Sequence, residues 1–146
     1  MPNREVLEII QNRDFLTSTP EKSVRAVAAH MKQFGAAAVL VVDQQDGTLI
    51  GICSERDLTY KVLAEGLDTL GTKVGDIMTP NPLVIGPDKP FGHALHLMFE
   101  GGFRHMPVVD PIGRPIGLIS SRDALGLEVS NFGKELEHRE ELAEVL

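Results

Sequence analysis

G-I-C-S-E-R-D-L at Gly51–Leu58 and G-L-I-S-S-R-D-A at Gly117–Ala124 carry one pattern, G-x-x-S-x-R-D. Each copy reads as a strand that runs into a helix. A serine at that junction can accept a hydrogen bond from the amide three residues on. An acidic residue at that third position can reach back to the serine amide. Asp57 and Asp123 stand at this spacing from Ser54 and Ser120. One such motif is a common helix start. Two of them turn attention to what surrounds each.

The surroundings align. TPEKSVRAVAAHM (Thr19–Met31) falls on GPDKPFGHALHLM (Gly86–Met98), and VVD (Val41–Asp43) on VVD (Val108–Asp110). One residue is lost in the next turn, after which IGICSERD (Ile50–Asp57) falls on IGLISSRD (Ile116–Asp123). Upstream, Leu7 and Ile10 fall on Val74 and Ile77. The chain is two copies of a unit of about 60 residues. Residues 1–66 form the first repeat with an N-terminal helix, 67–73 a linker, 74–129 the second repeat, and 130–146 an acidic C-terminal helix.

Each unit reads β-α-β-β-α. A short extended segment (Phe15 to Thr17, or Leu83 to Ile85) precedes a helix. In the first copy Thr19 can cap that helix and Pro20 suits its first turn. Val24, Val27, Ala28 and Met31 give its apolar stripe, and Gly35 ends it. Phe91, Ala94, Leu95 and Met98 repeat the stripe before Gly101 and Gly102. The strands that follow, AAVLVVD and HMPVVD, are apolar on both faces and are expected to be buried on both. Turns at Gln45–Gly47 and Ile112–Arg114 lead to LIGICS and PIGLIS, and a second helix starts at each motif serine. The fold class is α/β (α+β), two units packed with pseudo-two-fold symmetry so that each buries what the other exposes.

Composition narrows the functions. The 146 residues carry a formal net charge of −7, which disfavours nucleic-acid binding through a basic footprint. A bound anion would need local cations or helix N-termini. Cys53 is the only cysteine, so no disulfide forms within the chain. The longest apolar run, Ala36 to Val42, is too short for a membrane span. MPNREVLEII mixes acidic and apolar residues and lacks a signal-peptide core. A cytoplasmic protein is expected. There is no G-x-S-x-G, no P-loop and no H-E-x-x-H. Neither an enzyme nor catalytic residues are expected.

Taken together, VGDIMTPNPLVI (Val74–Ile85), GGFRHMPVVD (Gly101–Asp110) and the doubled G-x-x-S-x-R-D resemble a tandem pair of CBS domains, a Bateman module of the small stand-alone bacterial type. The resemblance covers about Val6 to Val129. It implies a regulatory ligand sensor that binds AMP, ATP, NAD or S-adenosylmethionine in clefts between paired repeats. It also implies a disc-shaped homodimer and a downstream protein that the sequence does not name. The chemistry suits the motif. An ionised aspartate can accept from both hydroxyls of a ribose. The serine and the free amides of a helix start suit a phosphate or ribose oxygen, and Arg56 and Arg122 can neutralise a phosphate. Gly86 stands where a serine or threonine is usual in such domains.

The resemblance further implies crossed sites. Site one combines Ser54, Arg56 and Asp57 with Thr79, Leu83, Val84, Arg104 and His105. Site two combines Ser120, Arg122 and Asp123 with Leu16, Thr17, Ala37 and Ala38. Arg104–His105 against Ala37–Ala38 makes site one richer in cations and site two roomier. Plainer readings stand beside these. Asp57 and Asp123 can be helix caps alone, Arg104 can form a salt bridge, and His105 can be a hydrogen-bonded core histidine. His93 and His96 lie i, i+3 on a helix but have no partners in a metal-site spacing. Cys53 reads as a buried, inert thiol. Phe132, Leu136, Ala143 and Leu146 give the tail a weak stripe, read as a dimer contact. The alternative function is a structural dimerisation module with no bound nucleotide.

Overall fold

The structure, a computed structural model, describes residues 4–145, with the backbone alone at 126–127, 130–131 and 141–145. The first repeat holds α1 (Val6–Ile10), β1 (Thr17–Ser18), α2 (Val24–Phe34), β2 (Ala38–Val42), β3 (Leu49–Ser54) and α3 (Glu55–Asp57). A π-helical turn, Leu58–Leu63, continues α3. The second holds α4 (Val74–Ile77), β4 (Thr79–Pro80), α5 (Phe91–Gly101), β5 (His105–Val109), β6 (Pro115–Ser120), a 3-10 turn at Ser121–Asp123 and α6 (Gly126–Val145). The mixed helix and strand content makes this an α+β fold.

The two hairpins are copies in register. Ala38 faces Ser54 and His105 faces Ser120, and both ladders slip at the same place, Val41/Val42 and Val108/Val109. In each lobe the extended lead-in pairs parallel with the first hairpin strand. Ser18 lies beside Val41 in β1–β2, and Ile85 beside Val108. Turns from the two hairpins also clasp. Leu49 N donates to Gly113 O at 2.9 Å and Arg114 Nε to Asp46 O at 2.9 Å.

The short helix that opens each repeat packs into the other one. Val6 and Ile10 join Phe91, Leu95, Met98, Met106 and Ile119 in the core of the second lobe. Val74 and Ile77 join Val24, Val27, Met31, Val41 and Cys53 in the core of the first. The backbone makes the same exchange twice. Val6 N donates to Lys89 O at 2.9 Å, and Val74 N to Lys22 O at 2.8 Å. Val74 is therefore matched by Val6, not by Leu7 as the sequence alignment has it, and Leu7 is exposed. Glycine lets the exchanged helices lie close on the hairpins. A Cβ on Gly117 would stand 2.6 Å from Ile10 Cγ2, and one on Gly51 would stand 2.3 Å from Met78 Sδ.

β2 is buried on both faces, and the reason is visible in its alternation. Val39 and Val41 point to the helices of their own lobe. Ala38 and Leu40, with Ile52, point toward Leu118 of the other lobe.

Two local expectations are corrected. Helix α2 is capped by Ser23, whose Oγ accepts from Ala26 N at 3.1 Å, and not by Thr19. Thr19 and Pro20 lie in the preceding turn, where Pro20 O accepts from Gly75 N. In the second repeat no continuous helix starts at Ser120. The chain turns extended at Ala124 (ψ 128°) before α6 begins at Gly126, ahead of the boundary placed at 130. The tail also docks on its own lobe. The Phe132 ring lies 4.8 Å from His96 and 5.6 Å from Phe99 on α5, and Arg139 pairs with Glu100 at 3.0 Å. His96 pairs with Glu135 on the same contact. The side chain of Ala143, and Leu146 altogether, lie outside the described residues.

Candidate functional site

Both motif serines are helix caps. Asp57 N donates to Ser54 Oγ at 3.3 Å while Ser54 N donates to Asp57 Oδ2 at 2.9 Å. Ser120 N donates to Asp123 Oδ2 at 2.8 Å, and Ser120 Oγ accepts from Arg122 N at 3.2 Å in the tighter 3-10 turn. The amide of the first helical residue is held by the neighbouring strand: Glu55 N by Ala37 O, and Ser121 N by Arg104 O, both at 3.0 Å.

Each aspartate is also met from the other repeat, by the connector that follows the exchanged helix. After α4, Thr79 Oγ1 donates to Asp57 Oδ1 at 3.4 Å. After α1, Arg13 forms a fork on Asp123, Nη1 to Oδ1 at 2.7 Å and Nη2 to Oδ2 at 2.9 Å. Lys61, one helical turn beyond Asp57, reaches its Oδ1 at 2.9 Å and the Ile77 carbonyl at 3.1 Å. Lys61 was legible at the i, i+4 spacing. Arg13 left no local signal, since it lies 110 residues from its partner.

Asp57 is buried, with 9% of its surface exposed. Asp123 is half-buried. Burial opposes its ionisation, but the Arg13 hydrogen bonds, the Ser120 amide and the charges of Arg13 and Arg4 outweigh it and hold the carboxyl below its ordinary range. It is therefore a carboxylate at neutral pH.

Arg104 is exposed, and His105 is half-buried on the strand beside Ser120. Burial pushes the His105 imidazole down. The Glu55 carboxylate opposes this from the first repeat, and Arg122 and Arg104 add to it. His105 thus feels charges from both repeats. Leu83 and Val84 are exposed apolar side chains, 49% and 38% accessible. Arg56 is exposed, with its guanidinium 5.2 Å from the Tyr60 ring centroid, and Arg122 is exposed. Leu16 gives its carbonyl to Leu40 N at 2.9 Å, and Thr17 pairs with Leu40 in β1. Ala37 is half-buried. Ala38 is closed into the interlobe core and lines no open space. Burial, with the Asp57 charge, pushes the Cys53 thiol up to about 12, so it is inert. Among the described residues no group of three His, Cys, Asp or Glu side chains is placed to hold a metal ion. None of the described helices is long and apolar enough to cross a membrane.

The two lobes repeat one hairpin, one cap and one exchanged helix, and a model of the CBS domain matches the chain twice, at residues 4–64 and 74–129. The chain belongs to the CBS-domain family.

CBSX3, a mitochondrial CBS domain-containing protein of Arabidopsis thaliana, is 35% identical over 131 residues, 88% of this chain and 60% of the relative. Protein MK0525 of Methanopyrus kandleri is 32% identical over 119 residues, 82% of this chain and 60% of its own. The chain thus spans about three fifths of these two curated relatives. Among solved structures, the CBS-domain protein ATU1752 of Agrobacterium tumefaciens is 32% identical, with a TM-score of 0.72 over 82% of this chain and 94% of that one. The CBS domain pair of protein MJ0100, solved with 5′-methylthioadenosine and S-adenosyl-L-methionine, is 26% identical, with a TM-score of 0.74 over 82% of this chain and 95% of that one.

Proposed function

We propose that this protein is a regulatory module that binds an adenosine-containing nucleotide in the clefts between its two CBS repeats. The observation that carries this reading is the crossed environment of the two motif aspartates. Each sits at a helix start of one repeat and is reached by a polar side chain from the connector of the other, Thr79 at Asp57 and Arg13 at Asp123. A ligand gripped there touches both lobes and biases how they sit together, which a sensor requires. The adenosine compounds held by the related MJ0100 pair support the same ligand class.

Ser54, Arg56, Asp57, Thr79, Leu83, Val84, Arg104 and His105 form the first cleft. Ser120, Arg122, Asp123, Leu16, Thr17 and Ala37 form the second. AMP, ATP, NAD and S-adenosylmethionine are the candidate ligands. Thermal unfolding with each at ten times its Kd tests the reading. A true ligand is expected to add about 1.4 kcal/mol, a shift of a few degrees.

The structural alternative also has an observation in its favour. Caps, Lys61 and Arg13 already occupy much of both carboxylates. If no member of the panel shifts the transition, the module is a structural pair whose aspartates cap helices.

We further propose a symmetric homodimer. Phe34, Tyr60, Leu63 and Leu70, on or beside helices of the first lobe, are 58–75% exposed, and apolar side chains of this size left to water support an interface there. Light scattering at micromolar concentration is expected to give twice the chain mass of 15.9 kDa, and the chain mass itself would refute the dimer.

A further inference from the structure

One side chain covers both oxygens of the Asp123 carboxylate. Arg13 Nη1 donates to Oδ1 at 2.7 Å and Nη2 to Oδ2 at 2.9 Å, and Nη2 also donates to the Leu118 carbonyl at 2.7 Å. With the Ser120 amide on Oδ2, three of about four acceptor positions are filled. A ribose diol brings two donors. It cannot be gripped by Asp123 while Arg13 remains.

Arg13 is free to leave. Its side chain is 40% exposed and belongs to the connector after α1, not to either core. The turn it touches has a separate anchor. Arg4 Nη2 donates to the Asp123 carbonyl at 2.9 Å, and Arg4 pairs with Glu128 at 2.6 Å. Asp123 therefore keeps its place when Arg13 swings out. A two-point pair on a half-buried carboxylate weights the equilibrium toward the latched state by at least about fivefold, a cost that a bound diol has to offset.

Once displaced, the guanidinium has lost its carboxylate beside an incoming nucleotide. Its planar fork matches a phosphate in two-point contact, which an ammonium cannot do. The two clefts differ in this respect. Asp57 is paired with Lys61, a point charge from its own repeat that is also tied to the Ile77 carbonyl.

We propose that Arg13 is the specificity-determining residue of the Asp123 cleft: it latches the carboxylate until a nucleotide arrives and then takes the phosphate of that nucleotide. The cleft therefore admits a phosphorylated nucleoside in preference to a bare one. The inference rests on the nucleotide reading above.

The test is calorimetry with AMP and with adenosine, in an Asp57→Asn background so that the second cleft dominates the signal. Arg13→Gln is expected to bind adenosine about fivefold more tightly, because no latch remains, while the preference for AMP over adenosine falls about tenfold. These two changes run in opposite directions for the two ligands, which a mere fold staple would not produce. If Arg13→Gln does not fold, Arg13→Lys replaces it. Lysine keeps the charge without the fork, and its AMP preference should fall between the other two. AMP binding that Asp123→Asn removes, with an AMP-to-adenosine ratio unchanged by Arg13 substitution, overturns the latch alone. No AMP binding in a parent protein that binds another of the four candidate ligands overturns the latch alone, and no binding of any of the four overturns the nucleotide reading and the latch with it.

Discussion

Replacing Phe91 with alanine is expected to destabilise the protein by about 4 kcal/mol. The side chain is fully buried at the start of α5, where the exchanged helix of the first repeat enters the second lobe. Its amide donates to Arg4 O at 2.7 Å, and the Arg4 guanidinium lies 5.6 Å from its ring centroid. Truncation removes apolar contacts to Val6 and its neighbours and leaves a cavity that backbone bonds on both sides keep from collapsing. The loss is large against a total stability of roughly 5–15 kcal/mol. Urea denaturation checks it, with Ile112→Ala as the comparison. Ile112 is 68% exposed in the turn between β5 and β6, so its truncation should cost less than about 1 kcal/mol. Val6→Ala combined with Phe91→Ala should depart from additivity, since the two share one cavity. A loss below about 2 kcal/mol for Phe91→Ala would mean that α1 does not seal that core.

Asp57→Asn and Asp123→Asn should each weaken nucleotide binding at one cleft by about 2 kcal/mol, roughly thirtyfold in Kd. Asparagine keeps a carbonyl acceptor for the cap but loses the charge that strengthens bonds from a diol. The caps predict the stability cost. Each substitution should cost about 1 kcal/mol, because Ser54 and Ser120 keep their own bonds to the helix start. The diol is the discriminating group. A 2′,3′-dideoxy form of the ligand should bind wild type and mutants about equally, while the ribose form separates them. Each mutant should spare the other cleft. If wild type bound both forms alike, the aspartates would be caps and no more.

Much of the fold could be read directly. The doubled motif, the stripes Val24–Met31 and Phe91–Met98, and two strands apolar on both faces are local patterns, and each formed as its pattern requires. The cap pairs Ser54–Asp57 and Ser120–Asp123 are local too, and both formed. What escaped was decided at a distance. α1 spaces its buried positions Val6 and Ile10 four residues apart, and α4 spaces Val74 and Ile77 three apart, so aligning Ile10 with Ile77 shifts the match at the other end. Only the backbone bonds to Lys22 and Lys89 settle it. The same applies to the site. Lys61 lies within one turn of its aspartate and Thr79 is expected opposite Asp57 from the resemblance, whereas Arg13 arrives from the opposite repeat, where no periodicity points to it. The break at Ala124 has only a weak sign, the glycine at 126 where α6 begins.

The exchanged helices also set an order of events at the ribosome. The first lobe needs Val74 and Ile77 to close its core, and these follow its own hairpin by about twenty residues. It can be complete while the second half is still being made. The second lobe needs Val6 and Ile10, which emerge first. That amphipathic segment must wait, unpartnered, until Met106 and Ile119 have been synthesised. Slow translation through α5 and β5 would lengthen the wait, and the waiting segment is the one that a chaperone, or the equivalent groove of a neighbouring nascent chain, would find exposed.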